Sequence, residues 1–149
     1  MSKIVMLVGV PGSGKTTYAK YLEKEEGYVR LSQDEIYRIP KKMSLTEYTK
    51  QRIKESVESG KDVVLDGTYV NRGYRFIMVQ FCKELDAELY MCVFKATLDD
   101  CIKHNNEKTG MKPSERKVRQ LYSVFQEPTE DECENITEID SDWFSKQKQ

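Results

Sequence analysis

The sequence offers few of the side chains that hold zinc. It contains one histidine, His104, and four cysteines, Cys82, Cys92, Cys101 and Cys133, with no C-x-x-C pair among them. That pattern argues against a zinc site and against a disulfide framework. The thiols read as small core residues in a reducing, cytoplasmic setting. Long apolar runs are also missing. Ile4 to Val8 is far too short to cross a bilayer, and no signal-peptide cleavage pattern is present, so no membrane association is expected. Surplus charge is absent as well: 24 Lys and Arg stand against 25 Asp and Glu, a net charge of −1. Any attraction to nucleic acid or to an anionic surface must therefore be local. No repeat, low-complexity tract or linker interrupts the 149 residues, which predicts one domain over 1–149.

What is present is an alternation of strand and helix patterns. Apolar runs at Lys3–Val8, Tyr28–Leu31, Asp62–Leu65, Glu88–Ala96 and Ile136–Ile139 read as five short strands. Helices are predicted over Thr16–Glu26, Glu47–Ser59, Gly73–Leu85, Leu98–Asn106 and Ser114–Phe125. The apolar stripe in Gly73–Leu85 runs through Tyr74, Ile77, Met78, Phe81, Cys82 and Leu85 at helical spacing. Such alternation implies an α/β domain, three layers deep, with a mostly parallel five-stranded sheet.

Between the first strand and first helix lies Gly9-Val10-Pro11-Gly12-Ser13-Gly14-Lys15-Thr16, a full match to G-x-x-x-x-G-K-[ST]. Glycines let a backbone wrap phosphate oxygens with its N–H groups, and the following helix N-terminus adds positive potential. The expected phosphate ligands are Gly9, Pro11, Gly12, Ser13, Gly14, Lys15, Thr16 and Thr17. Lys15 would reach the terminal phosphates, and the Thr16 hydroxyl would join a Mg²⁺ shell. Asp66, after Val63-Val64-Leu65, is placed to serve the same Mg²⁺, although a turn aspartate before Gly67 is an alternative.

The second strand runs into Ser32-Gln33-Asp34-Glu35-Ile36-Tyr37-Arg38. Ligands gather beyond the carboxyl ends of parallel strands, so Asp34 should share a rim with the phosphate loop. A carboxylate there can take a proton from an attacking hydroxyl. Asp34 and Ser32 could instead cap the next helix. Arg38, four residues on, could pair with an anionic group of an acceptor.

Taken in order, the phosphate loop, "LSQDEIYR", "VVLDGTYVNRGYR", "CIKHNNEKTG" and "FQEPTEDECENI" resemble the P-loop kinase family of the polynucleotide 5′-hydroxyl kinases and AAA-type ATP-binding kinase-like proteins. The resemblance implies a nucleoside/nucleotide-kinase-like P-loop NTPase fold with a helical lid near 104–115. It also implies ATP and Mg²⁺ as ligands, Asp34 as general base, and a catalytic cation in the lid. Arg75 matches an arginine that would contact phosphate or acceptor. Tyr69 stands where asparagine is usual, Arg38 sits one residue further from Asp34 than its counterpart, and His104 and Lys108 replace arginines. A lysine neutralises charge but cannot clamp bidentately.

Lys103 to Arg119 carries six basic residues against two acidic, whereas Glu127 to Asp142 holds eight acids and no base. The basic segment with Gly110 and Pro113 suits a flap over ATP, or is a solvated face. Asn105 and Asn106 could meet adenine or ribose, while Tyr37, Tyr48 and Tyr69 could stack on a base. The expected activity is transfer of the γ-phosphate from ATP to a hydroxyl, favouring the 5′-OH of a polynucleotide or nucleotide. The alternatives are a small-molecule kinase of the same fold, acting on a sugar, nucleoside, antibiotic or metabolite, and an ATP-binding regulatory module without transfer.

Overall fold

The computed structural model describes residues 1–140. Asp142, the last acid of the acidic stretch, lies outside them. Along the chain run β1 (Ser2–Val8), α1 (Lys15–Glu26), β2 (Val29–Ser32), α2 (Gln33–Arg38), α3 (Leu45–Glu58) and β3 (Val63–Asp66). There follow α4 (Arg72–Lys83), β4 (Ala87–Lys95), α5 (Leu98–Glu107), α6 (Glu115–Ser123) and β5 (Ile136–Asp140). The strands lie in the order β2-β3-β1-β4-β5, and every pairing is parallel.

Side-chain alternation divides the strands between two apolar layers. Ile4, Met6 and Val8 of β1, with Val63 and Leu65 of β3, pack toward Ile53 of α3 and Met78, Val79 and Cys82 of α4. Val5 and Leu7, with Val64 of β3 and Phe94 of β4, pack toward Ala19 and Leu22 of α1. A third cluster joins Val10 to Cys101 and Ile102 of α5 and Val118 of α6. The result is a sheet between helical layers, with α5 and α6 anchored at one rim. In register, Met6 lies beside Leu65 and Ser32 beside Asp66. The carboxyl ends of β1, β2 and β3 therefore open onto a common edge.

Five of the six helices begin with a side-chain cap. Ser32, Ser44, Asn71, Thr97 and Ser114 accept from the N–H three residues on, each answering one of the donors that a helix start leaves open. The exception is α1, whose N-cap is Gly14.

Tyr74, Met78, Phe81, Cys82 and Leu85 of the predicted stripe pack in or against the core, and two expectations are corrected beside them. Ile77 is 45% exposed, and the core face takes in Arg75 and Val79. Arg75 is not a surface phosphate contact. It is 0% exposed, its Nε donates to Glu132 Oε1 at 2.8 Å, and its Nη1 donates to the Tyr69 carbonyl at 2.8 Å. The arginine thus belongs to the α4 core face and ties the chain at Glu132 to the loop after β3. Removing one partner of such a pair leaves the other charge uncompensated. Arg75→Met should therefore lower the unfolding free energy by about 3 kcal/mol in a urea titration.

Candidate active site

The stretch between β1 and α1 is held open by glycine. Gly12 has φ +88°, and a Cβ there would meet the Cys101 carbonyl oxygen at 2.1 Å. Gly14 has φ +101° and ends the turn as the N-cap of α1. No side chain caps α1, and no acid stands in its first turn. Its opening N–H groups are left for an anion, favoured by the helix dipole. Gly9 begins the loop, and its N–H donates to the Thr68 carbonyl at 3.0 Å. The buried Ser13 Oγ has no hydrogen-bond partner within the described residues.

Pro11, Lys15 and Thr16 line a cleft of about 490 Å³. Its other walls come from β2 and α2 (Arg30, Gln33, Asp34, Glu35, Arg38), from the end of β3 (Asp66, Gly67, Thr68), and from the α5–α6 region (Lys108, Met111, Lys117, Leu121). Thr17 is exposed on α1 and is not among the lining residues. Asp34 and Arg38 are brought to the cleft as the sequence predicts, whereas Arg75 is not.

Lys15 is 7% exposed and donates from Nζ to the Val10 carbonyl at 3.1 Å. Burial pushes its ammonium down to about 8, with Lys108 adding to the effect and Asp66 and Asp34 opposing it. Loss of water also lowers the Lys108 ammonium, against the pull of Asp34 and Asp66. Two lysines and two carboxylates therefore act on one another across a small space. Asp34 itself is exposed. Ser32 is the cap of α2, since its Oγ accepts from Glu35 N–H at 3.3 Å, so Asp34 is relieved of that duty. Asp34, Arg38, Lys108 and Lys117 make no side-chain hydrogen bond or ion pair among the described residues.

Asp66 is committed in part. Its Oδ2 accepts from Arg30 Nε at 2.9 Å and pairs with Nη2 at 2.8 Å. Arg30 carries no motif, and only the register of β2 on β3 reveals it.

The α5–α6 segment is fastened to the loop more firmly than its charge pattern suggests. His104 Nδ1 lies 3.1 Å from the Gly12 carbonyl. Asn105 is 0% exposed and donates from Nδ2 to the Pro113 carbonyl at 2.8 Å, so it does not face a nucleobase. Lys112 folds back onto the Asn106 and Lys108 carbonyls, at 2.7 and 3.0 Å, closing the end of α5. Tyr69 is likewise turned inward, 2% exposed and stacked on Tyr74 at 5.6 Å.

The residues fit a nucleotide polyphosphate with Mg²⁺. The loop is too tight for side chains and rich in open N–H groups. Thr16 and Asp66 supply a hydroxyl and a carboxylate, hard oxygen donors of the kind Mg²⁺ takes beside phosphate. Among the described residues, no cluster of three or more His, Cys, Asp or Glu forms a self-sufficient metal site.

A family model described as an AAA domain matches residues 4–128. The chain belongs to this AAA-domain family. It is 27% identical over 143 residues to the bifunctional polynucleotide phosphatase/kinase of Schizosaccharomyces pombe, covering 92% of this chain and 33% of that protein. A protein of Acanthamoeba polyphaga mimivirus, given the same name provisionally, is 28% identical over 121 residues, 81% of this chain and 25% of that one. The chain thus spans a quarter to a third of these curated relatives. A sugar kinase from Janibacter sp. HTCC2649 shares the fold at a TM-score of 0.72 and 16% identity, over 95% of this chain and 86% of that one. The P-loop kinase resemblance of the sequence is borne out at the level of family and fold. No helix among the described residues is long and apolar enough to cross a membrane.

The Lys15 shift has a measurable consequence. In the free protein the ammonium loses its proton as pH rises through about 8. Phosphate placed beside it favours the charged form and moves its titration back upward. Nucleotide binding should therefore take up a proton at pH 8.5 and little at pH 6.5. Calorimetry of ADP binding in buffers of differing ionisation enthalpy measures this directly, and Lys15→Met should abolish the difference.

Proposed function

We propose that the chain is an ATP-dependent phosphotransferase that acts on a hydroxyl of an anionic acceptor, foremost the 5′-OH of a polynucleotide or nucleotide. The observation that carries this reading is the state of Asp34. It is an exposed carboxylate, neither capping nor paired, in the same cleft as a buried Lys15 on a phosphate loop.

In this scheme Asp34 accepts the acceptor's hydroxyl proton as the oxygen attacks the γ-phosphorus. The bond from that phosphorus to the β–γ bridging oxygen breaks, and ADP leaves. Lys15 and Lys108 offset negative charge at the transferring group, and the open N–H groups at the start of α1 hold the phosphates of the donor. A bound Mg²⁺ at Thr16 and Asp66 would supply further charge neutralisation.

The choice of acceptor rests on charge. Arg38 and Lys117 line the cleft from α2 and α6 without a carboxylate partner, beyond the two lysines that act on Asp34. Unpaired cations there suit an acceptor that brings its own phosphate. The names of the curated relatives support the same choice. A small-molecule kinase is the second reading, supported by a cleft of only about 490 Å³. A regulatory module that binds ATP without transfer would have little use for a free carboxylate at Asp34. The four cysteines are buried as free thiols, which supports a reducing compartment such as the cytoplasm.

Transfer of labelled γ-phosphate to a 5′-OH oligonucleotide, compared with a panel of neutral sugars and alcohols, tests the proposal. The oligonucleotide should be labelled and the neutral acceptors should not. Asp34→Asn should reduce transfer by about 10²–10⁴-fold with ADP affinity unchanged. Lys117→Ala should raise the acceptor KM by about tenfold and leave the ATP KM near wild type. Sugar labelling with an inert oligonucleotide would reverse the choice of acceptor. Full transfer by Asp34→Asn would remove the base.

A further inference from the structure

Arg30 lies on the edge strand β2, in register with Val64, while Ser32 two residues on is in register with Asp66. The side chains of Arg30, Ser32 and Asp66 therefore share one face of the sheet. The guanidinium runs along that face to Asp66. Two of its nitrogens, Nε and Nη2, converge on the single oxygen Oδ2, at 2.9 and 2.8 Å. The third, Nη1, reaches outward to Glu35 Oε1 at 3.1 Å. Arg30 and Asp66 are 9% and 6% exposed, so salt screens their attraction little. Asp66 Oδ1 makes no hydrogen bond or ion pair among the described residues. Glu35 is the neighbour of Asp34 on α2, so one fork spans the end of β3 and the helix that carries the proposed base.

We propose that Arg30 is a positioning residue: it holds one oxygen of Asp66, presents the other to the divalent cation that accompanies the nucleotide, and lowers the affinity for that cation through its own charge. The inference rests on the phosphotransferase reading only in assigning that cation to Asp66. Its geometry follows from the one-sided grip. A guanidinium spread over both oxygens would compete with a metal for each of them, and an unheld carboxylate would rotate. Opposed effects follow from the two roles. The fork improves the aim of Asp66, while its positive charge repels a dication a few ångströms away.

The test titrates Mg²⁺ into the full chain saturated with ADP, followed by calorimetry, with Mg²⁺–ADP formation in solution subtracted. Arg30→Met keeps the length of the side chain and removes its charge. It should bind Mg²⁺ about tenfold more tightly and yet transfer phosphate more slowly, since Asp66 and Glu35 are no longer held. Arg30→Lys keeps the charge without the fork, so its Mg²⁺ affinity should stay within about twofold of wild type while transfer slows. Tighter metal binding joined to slower reaction is a signature that general damage to the fold does not produce. Mg²⁺ binding in Arg30→Met that is unchanged or weaker overturns the proposal. Should that variant fail to fold, Glu35→Gln carries the test from an exposed position. With Arg30 less compensated, Mg²⁺ affinity should fall by about two- to threefold, and an unchanged affinity counts against the role. A wild-type protein that binds Mg²⁺ and ADP but transfers nothing would sink the phosphotransferase reading, while the metal titration would still judge Arg30.

Discussion

The site depends on a contact that involves no side chain of the loop: the approach of Gly12 to the backbone of α5. A Cβ at that position would lie 2.1 Å from the Cys101 carbonyl oxygen, and the residue is in the left-handed region at φ +88°. Either condition alone favours glycine, and together they demand it. The loop lies against α5, and α1 starts from Gly14 without a side-chain cap. The same contact carries the α5–α6 segment to the cleft edge, with His104 at the Gly12 carbonyl as a second attachment. The phosphate seat and the wall that bears Lys108 and Lys117 are therefore one mechanical unit. A shift in α5 would be felt at the phosphates.

Charge in the cleft is arranged in two tiers. The inner tier is costly: Lys15 and Asp66 are both buried, and each has opposite charge nearby, Arg30 for Asp66 and Asp66 with Asp34 for Lys15. Burial still dominates for Lys15, which is why its ammonium titrates near 8. A phosphate group would relieve that strain, so the free cleft is built with a deficit of negative charge. The outer tier, Arg38 and Lys117, is solvated and costs little to maintain. On the proposed function its contribution is to steer and select anionic ligands, where an unpaired cation is worth more than one already matched.

The parts legible in the sequence are those fixed by neighbours along the chain. The phosphate loop is contiguous, strands alternate in a short period, Asp66 follows directly on an apolar run, and Asp34 lies three residues beyond one. Element boundaries shift by one or two residues, as helix ends and caps allow. What escaped the sequence depends on distant pairing. Arg75 looks like a surface cation beside a motif until Glu132, 57 residues on, is seen to neutralise it in the interior. Arg30 is an unremarked residue of a short strand until β3 brings Asp66 alongside, 36 residues away. In the predicted apolar stripe only Ile77 turns outward, while a buried arginine sits on the core face of α4, where periodicity gives it no weight.

The loop after β3 shows how these pairings combine. Tyr69 is a non-glycine residue at φ +46°, a region that asparagine enters readily and a bulky aromatic seldom does. The backbone is held there from three sides. Thr68 accepts from Gly9 N–H through its carbonyl and donates its own N–H to Gln33 Oε1 at 3.2 Å, while the Tyr69 carbonyl accepts from Arg75. Those bonds join the phosphate loop, α2 and α4 to a segment that begins one residue after Asp66. Gly67 completes the arrangement, because a Cβ there would strike Gln33 at 2.0 Å. Burial of the Tyr69 ring against Tyr74 offsets the strain that asparagine would have avoided. The carboxylate at the end of β3 is thus flanked by its arginine partner and by this strained turn. The buried Arg75–Glu132 pair, remote from the cleft, contributes to the site by holding that turn in place.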